Sequence, residues 1–130
     1  MLLERSEPGL IAVALLDMDA FKSFNDHHGH QAGDELLRAA VEAWAGTLRD
    51  GDVLARYGGE EFAVALPGCS ADEAGMVLDR LRAATPEGAT VSAGVASWDG
   101  SEPLAALVAR ADAALYEAKR AGRDRLVAAG

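Results

Sequence analysis

The sequence predicts an α/β layered domain of the split βαβ kind, with elements in the order β-α-β-β-α-β-α-β. Three observations carry that reading. Gly9 to Met18, GLIAVALLDM, is continuously apolar until its closing acids, as a strand buried on both faces requires. Asp52 to Tyr57 and Glu61 to Leu66 are two short strand-like runs around the turn pair Gly58-Gly59. Three longer segments carry apolar residues at helical spacing between the strand-like runs.

Taken in order, Gly9 to Met18 is the central strand. Gly33 to Leu48 follows as a helix, with Leu36, Leu37, Ala40, Val41, Trp44 and Leu48 on one face. The stretch between, through Asp26 and the three histidines, reads as a polar loop. After the hairpin, Pro67-Gly68 ends the second strand. Ser70 caps a helix running to about Ala84, and Glu73 stands at capping-box spacing. Its buried stripe is Ala74, Val77, Leu78 and Leu81. Ala89 to Trp98, ATVSAGVASW, alternates like a strand, and Asp99-Gly100 breaks it. Pro103 opens a last helix at the favoured first position, with a stripe of Leu104, Leu107, Val108, Ala111, Leu115 and Ala118. Gly122 ends it, and Leu126 to Ala129 forms a short edge strand.

At 130 residues, the chain reads as one domain. Half its residues are apolar but only 5% are aromatic, so the core is built of Ala, Val and Leu. Twelve Lys and Arg stand against 21 acids, a net charge of −9. That balance argues against binding a nucleic-acid duplex or an anionic membrane, which want a basic face. A small phosphorylated ligand, needing only a few local cations, stays open. Cys69 is the only cysteine, which makes no disulfide framework and fits a reducing, cytoplasmic compartment. No apolar run has membrane-spanning length, and the opening MLLERSEPG lacks a signal-peptide pattern.

The chemistry gathers at strand ends. Asp17 and Asp19 alternate along the first strand and so share a face. If the first strand neighbours the hairpin, Asp17 and Glu60 converge. Such a pair is either a solvated strand terminus or a cation site. Oxygen-only ligands would select Mg²⁺ or Mn²⁺, ions that assist phosphoryl and nucleotidyl transfer. Lys22 lies just beyond these acids. Asn25 and Asp34 are either loop and capping groups or readers of a purine edge: Asp34 accepts from guanine N–H groups, and Asn25 both donates and accepts. His27, His28 and His30 match no zinc spacing, and His30 reads as a packing or loop-fixing residue. Lys119 and Arg123 suit the end of the last helix and equally suit phosphates. No phosphate-binding P-loop pattern is present.

GGEEF at Gly58 to Phe62 resembles the signature of the GGDEF domains, the diguanylate cyclases, in its GGEEF form. Four blocks resemble the family in its order and spacing: LLDMDAFKSFNDHHGHQAGD, RDGDVLARYGGEEFAVALPG, SAGVAS and ADAALYEAKRAGRD. The resemblance covers about residues 11 to 126. It implies a nucleotide-cyclase and polymerase-palm-like fold, ferredoxin-like, with a mainly antiparallel five-stranded sheet flanked by helices. It implies condensation of two GTP into cyclic di-GMP, with release of two pyrophosphates, by a head-to-head homodimer in which each copy is half a site. By the same resemblance Asp17, Glu60 and the Met18 carbonyl hold Mg²⁺, and Glu61 or Glu60 assists deprotonation of the ribose 3′-hydroxyl. Asn25 and Asp34 read guanine. Lys22, Lys119 and Arg123 contact phosphates with Arg56 as a helper, and His30 completes the substrate-binding set.

Arg49-Asp50-Gly51-Asp52 is an RxxD run with five residues between Asp52 and Gly58. This is the spacing of the family's product-binding inhibitory site, with Arg80 as a secondary contact. Relative to the family pattern, the chain reads as lacking the N-terminal helix with its D-x-L-T-G-L-x-N-R-R segment, and any sensory or receiver domain. The alternative reading is a non-catalytic module that senses GTP or cyclic di-GMP and regulates a partner. Retention of both glutamates favours the enzyme. An unrelated metal-dependent nucleotidyl transferase would share the acids but leave the RxxD spacing unexplained.

Overall fold

A computed structural model describes residues 10–86 and 88–129. The opening MLLERSEPG, and with it the expected strand start at Gly9, lies outside them. The elements are β1 (Ile11–Met18), α1 (Phe21–His28), α2 (His30–Ala45), β2 (Val53–Arg56), β3 (Glu61–Pro67), α3 (Ala71–Ala84), β4 (Val91–Trp98), α4 (Leu104–Arg120) and β5 (Leu126–Ala128). The five strands form one sheet in the order β2-β3-β1-β4-β5. Every pairing is antiparallel except β4 with β5.

β1 is the middle strand because its side chains are apolar on both sides. Ala12, Ala14, Leu16 and Met18 pack with Leu37, Ala40, Trp44, Phe62 and the α3 stripe. Leu15, with Val13 beside it, packs with Ala96, Leu107, Ala111 and Leu115. Strand alternation thus divides the molecule into an α2–α3 layer, the sheet, and an α4 layer. Trp44 ties the first layer together. Its ring meets Phe62 of β3 edge-on at 5.0 Å, and its indole N–H donates to Thr85 Oγ1 at the end of α3 (2.9 Å). The Ser70 capping box forms as expected: Glu73 N donates to Ser70 Oγ (3.1 Å) and Ser70 N to Glu73 Oε1 (2.9 Å). No helix among the described residues is long and apolar enough to cross a membrane.

Four details differ from the expectations. The polar loop before the first long helix contains a helix of its own, α1, which buries only Phe21. α2 begins at His30, not Gly33, and ends at Ala45, leaving Leu48 beyond it. Pro103 is the N-cap of α4, one residue before the helix starts. Leu104 and Val108 stay exposed, at 60% and 40%, although they fall on the periodic stripe. Leu107, Ala111, Ala114, Leu115 and Ala118 do the burying instead.

Candidate active site

The carboxyl end of β1 is where three other segments meet. Met18 N donates to the Glu60 carbonyl (3.1 Å), which fastens the Gly58-Gly59 turn to the end of β1. Asp17 stands opposite Glu61 in the β1–β3 register. Alternation directs Asp17 toward the α4 layer, where the Lys119 ammonium donates to its carboxylate. Asp17 is only 7% exposed, and a buried carboxylate needs such a partner. The cavity here, about 160 Å³, is lined by Asp17, Met18 and Asp19 of the β1 end and by Phe21 and Lys22 of α1. Glu60 of the turn, Lys119 of α4 and Arg123 complete it. It is smaller than the roughly 300–1,000 Å³ of a site enclosing a whole ligand. Its size and its cations suit phosphate-sized anionic groups.

The backbone after α4 is built to present Arg123. Gly122, at φ +125°, closes a Schellman motif: Gly122 N donates to the Lys119 carbonyl (3.4 Å) and Arg123 N to the Ala118 carbonyl (3.0 Å). Arg123 and Asp124 then both adopt left-handed conformations, φ +65° and +48°. For residues other than glycine that costs of order 1–3 kcal/mol each, so the surroundings must hold them.

Asp19 shares the side of the sheet with Asp17, as alternation predicts, and lines the same cavity. β1 itself stops at Met18, and Ala20 turns left-handed (φ +57°). The Asp19 carboxylate accepts from Thr90 Oγ1 (2.7 Å), Ser92 Oγ (2.6 Å) and Asp124 N (3.0 Å).

The turn itself is braced. Arg56 Nε donates to the carbonyls of Gly58 (3.1 Å) and Gly59 (3.0 Å). Glu61 folds back over Gly58 so closely that a Cβ there would lie 2.3 Å from Glu61 Oε1, and the Glu61 side chain would have to move to admit one. Beside it, the Tyr57 hydroxyl is held protonated to higher pH than an ordinary phenol. Partial burial is the first cause, followed by the negative charges of Glu61, Asp112 and Asp17.

The other expected site residues lie outside the lining of this cavity. Gly33 lets the Asn25 carboxamide lie against α2, since a Cβ there would be 1.7 Å from Asn25 Oδ1. That oxygen is buried, with no described donor, beside the residue preceding Asp34 in the chain. Asp34 and Arg56 line a separate cavity of about 440 Å³ between α2 and the β2–β3 hairpin. His30 is exposed at the first position of α2. Arg49 and Asp52 form one turn before β2: Arg49 N donates to Asp52 Oδ2 (2.8 Å) and Asp52 N to the Arg49 carbonyl (3.0 Å). Arg80 is exposed on α3. Tyr57, Asp124 and the bracing role of Asp19 were missed in the sequence. The available signal for Asp19 was Thr90 and Ser92, two hydroxyls at alternate positions of an otherwise apolar strand.

The donors suit a hard cation. Three acids, Asp17, Asp19 and Glu60, line one cavity with Met18, and neither histidine nor cysteine is among its lining. Among the described residues no three His, Cys, Asp or Glu side chains converge as a metal cage. Mg²⁺ is commonly held this way, by one or two carboxylates with substrate phosphates and water completing the octahedron.

The chain matches the family model described as diguanylate cyclase, GGDEF domain, over residues 2–125. It belongs to the GGDEF domain family. The GGDEF domain is 45% identical over 128 residues to the diguanylate cyclase DgcP of Pseudomonas aeruginosa, covering 91% of this chain and 19% of that protein. Among solved structures, the DgcB GGDEF domain of Caulobacter crescentus in complex with c-di-GMP matches with TM-score 0.85 and 37% identity, over 92% of this chain and 78% of that one. The active GGEEF domain of a Vibrio cholerae diguanylate cyclase matches with TM-score 0.87 and 31% identity, over 93% and 83% of the two chains. The GGDEF domain here spans between 19% and 34% of the length of three curated cyclase relatives, from Pseudomonas aeruginosa, Treponema denticola and Escherichia coli.

Proposed function

We propose that this GGDEF domain is a diguanylate cyclase that condenses two GTP into cyclic di-GMP and releases two pyrophosphates. The observation carrying the reading is the single cavity that gathers Asp17 and Glu60 with Lys22, Lys119 and Arg123. Acids and cations together suit a triphosphate with a cation bridging it to the protein. A bound Mg²⁺ or Mn²⁺ would neutralise phosphate charge and stabilise the developing transition state. Asp17, Glu60 and the Met18 carbonyl are its proposed ligands.

The remaining work falls to this chain's side chains. Lys119, which pairs with Asp17, would also be within reach of a bound phosphate, and Asp17 would face the cation. Lys22 and Arg123 would hold the other phosphate oxygens. Asn25 and Asp34 would read guanine, with the Asn25 acceptor ready for a guanine N–H. Arg56 would act by keeping the turn in place, and His30 by lining the base. Glu61 would take the proton from the ribose 3′-hydroxyl as it attacks the α-phosphate of GTP on a second copy. Two P–O bonds form and two break, so the reaction needs two copies head to head.

The test is incubation with GTP and Mg²⁺ at high protein concentration, with detection of cyclic di-GMP, repeated with an artificially dimerised form. Product is expected, at least from the dimerised form. Nucleotide binding without product from either form would replace the cyclase reading with the sensor reading.

Arg49, Asp52 and Arg80 are proposed as a product-binding inhibitory site. Arg49 can fork to or stack on a guanine, and Asp52 can accept its N–H groups. The bond that fixes the turn comes from the Arg49 backbone N–H, so Arg49→Ala leaves it in place. That variant is expected to keep the initial rate within about twofold and to lose most product inhibition, as read from rates against added cyclic di-GMP. Unchanged inhibition would refute the placement.

A further inference from the structure

We propose that Asp19 is a positioning residue of this site. It acts through Asp124 on Arg123, and Arg82 on α3 forms the outer half of the same clamp. The proposal rests on the cyclase reading only for what Arg123 binds.

Asp124 is gripped from two sides. Its N–H donates to Asp19 Oδ2 (3.0 Å). Its carbonyl and its carboxylate both accept from Arg82 Nη1, at 2.9 and 2.8 Å. Arg82 Nη2 is braced in turn by Asp79 at 3.3 Å. Within this grip, Arg123 and Asp124 hold consecutive left-handed conformations that a free loop would abandon. Arg123 lines the cavity, and the direction in which its side chain leaves the backbone depends on that conformation.

Asp19 lines the cavity but is organised differently from Asp17. Thr90 Oγ1 and Asp124 N both donate to its Oδ2, and Ser92 Oγ donates to its Oδ1. A carboxylate saturated by three fixed donors serves as a bracket. Asp17, which holds one mobile ammonium, is the acid that a cation can recruit. Asn at position 19 would turn an N–H₂ toward one set of these donors and break the bracket at unchanged volume. Arg82 is not part of the cavity wall, so its effect on the site must pass through the loop.

The test uses Asp19→Asn, Arg82→Ala and Asp124→Asn, each alone and combined with Arg123→Ala. Two readouts are needed: calorimetric binding of the α,β-methylene analogue of GTP with Mg²⁺, and steady-state rates with GTP. Asp19→Asn and Arg82→Ala are each expected to weaken analogue binding about tenfold and to raise KM more than they lower kcat. The Mg²⁺ concentration for half-maximal rate should not move. Neither should weaken binding further once Arg123 is alanine, because coupled residues are not additive. Asp124→Asn keeps the N–H and tolerates the left-handed region, so it is expected to bind nearly as the parent does.

Equal weakening with and without Arg123, or a raised Mg²⁺ requirement in Asp19→Asn, would overturn the proposal. The second result would mark Asp19 as a metal ligand. If Asp19→Asn fails to fold, Arg82→Ala decides alone, since that side chain is half-buried outside both apolar clusters. A parent protein that binds the analogue but forms no product defeats the cyclase reading and leaves the clamp decided by the binding cycle. A parent that does not bind it defeats both.

Discussion

Glu60→Gln is expected to lower cyclic di-GMP formation by at least about a hundredfold, with thermal unfolding shifted by no more than about 2 °C. The two halves of that expectation rest on different atoms of one residue. The Glu60 carbonyl accepts from Met18 N and so secures the turn to β1. Glutamine keeps that carbonyl and the side-chain volume. The Glu60 carboxylate lines the cavity with Asp17, and there glutamine removes a charge and can turn an N–H₂ toward the cation. A hundredfold loss corresponds to about 2.7 kcal/mol of transition-state stabilisation. That is comparable with deleting one preorganised electrostatic group, and metal-mediated stabilisation is worth several kcal/mol. Product formation at saturating GTP and a melting curve on the same preparation check both halves. Retention of more than a tenth of the parent rate would remove Glu60 from the proposed metal site.

Sequence reasoning went furthest where one physical rule dominated. β1 was legible because only a strand buried on both faces needs an unbroken apolar run, and α3 because its capping box and stripe agree. α1 was not, because an eight-residue helix that buries Phe21 alone leaves almost no periodic signal, and no side chain caps it. Leu104 and Val108 misled for the opposite reason. They have the right period, but burial also needs a neighbouring surface, and their side chains remain largely in solvent. At the site, Asp17, Glu60, Lys22, Lys119 and Arg123 were legible as charges at element ends, and the fold collects them in one cavity. Alternation correctly set Asp19 on the same side of the sheet as Asp17, but it did not show that the two acids are held differently. The separate role of Asp19 depends on Thr90, Ser92 and Asp124, from 71 to 105 residues distant in the chain, which local pattern cannot connect to it.

Gly94→Ala is the substitution expected to cost most stability, although the usual expectation for it has the opposite sign. Gly94 does not sit among the positive-φ glycines, so its backbone conformation suits alanine. By restricting the unfolded chain, an unstrained Gly→Ala change stabilises by about 0.4–1 kcal/mol. The contact decides otherwise. A Cβ at position 94 would lie 2.2 Å from both the Ala111 carbonyl oxygen and Leu115 N, and 2.8 Å from the Ala114 carbonyl carbon. These are backbone atoms of α4, so no rotamer change relieves the clash and the helix must lift off β4. Overpacking a core costs about 1–3 kcal/mol or more, which exceeds the entropic gain. Lifting α4 also opens the cluster of Leu15, Ala96, Leu107, Ala111 and Leu115. A net loss of about 2 kcal/mol predicts a fall in Tm of roughly 6–10 °C for a domain of this size. The same helix carries Lys119 to Asp17 and leads into Arg123. Activity measured well below both melting points should therefore fall further than the unfolded fraction accounts for. A fall in Tm of less than about 3 °C would mean that α4 does not rest on Gly94 as described, and the path from sheet packing to the cations that line the cavity would have to be drawn through another residue.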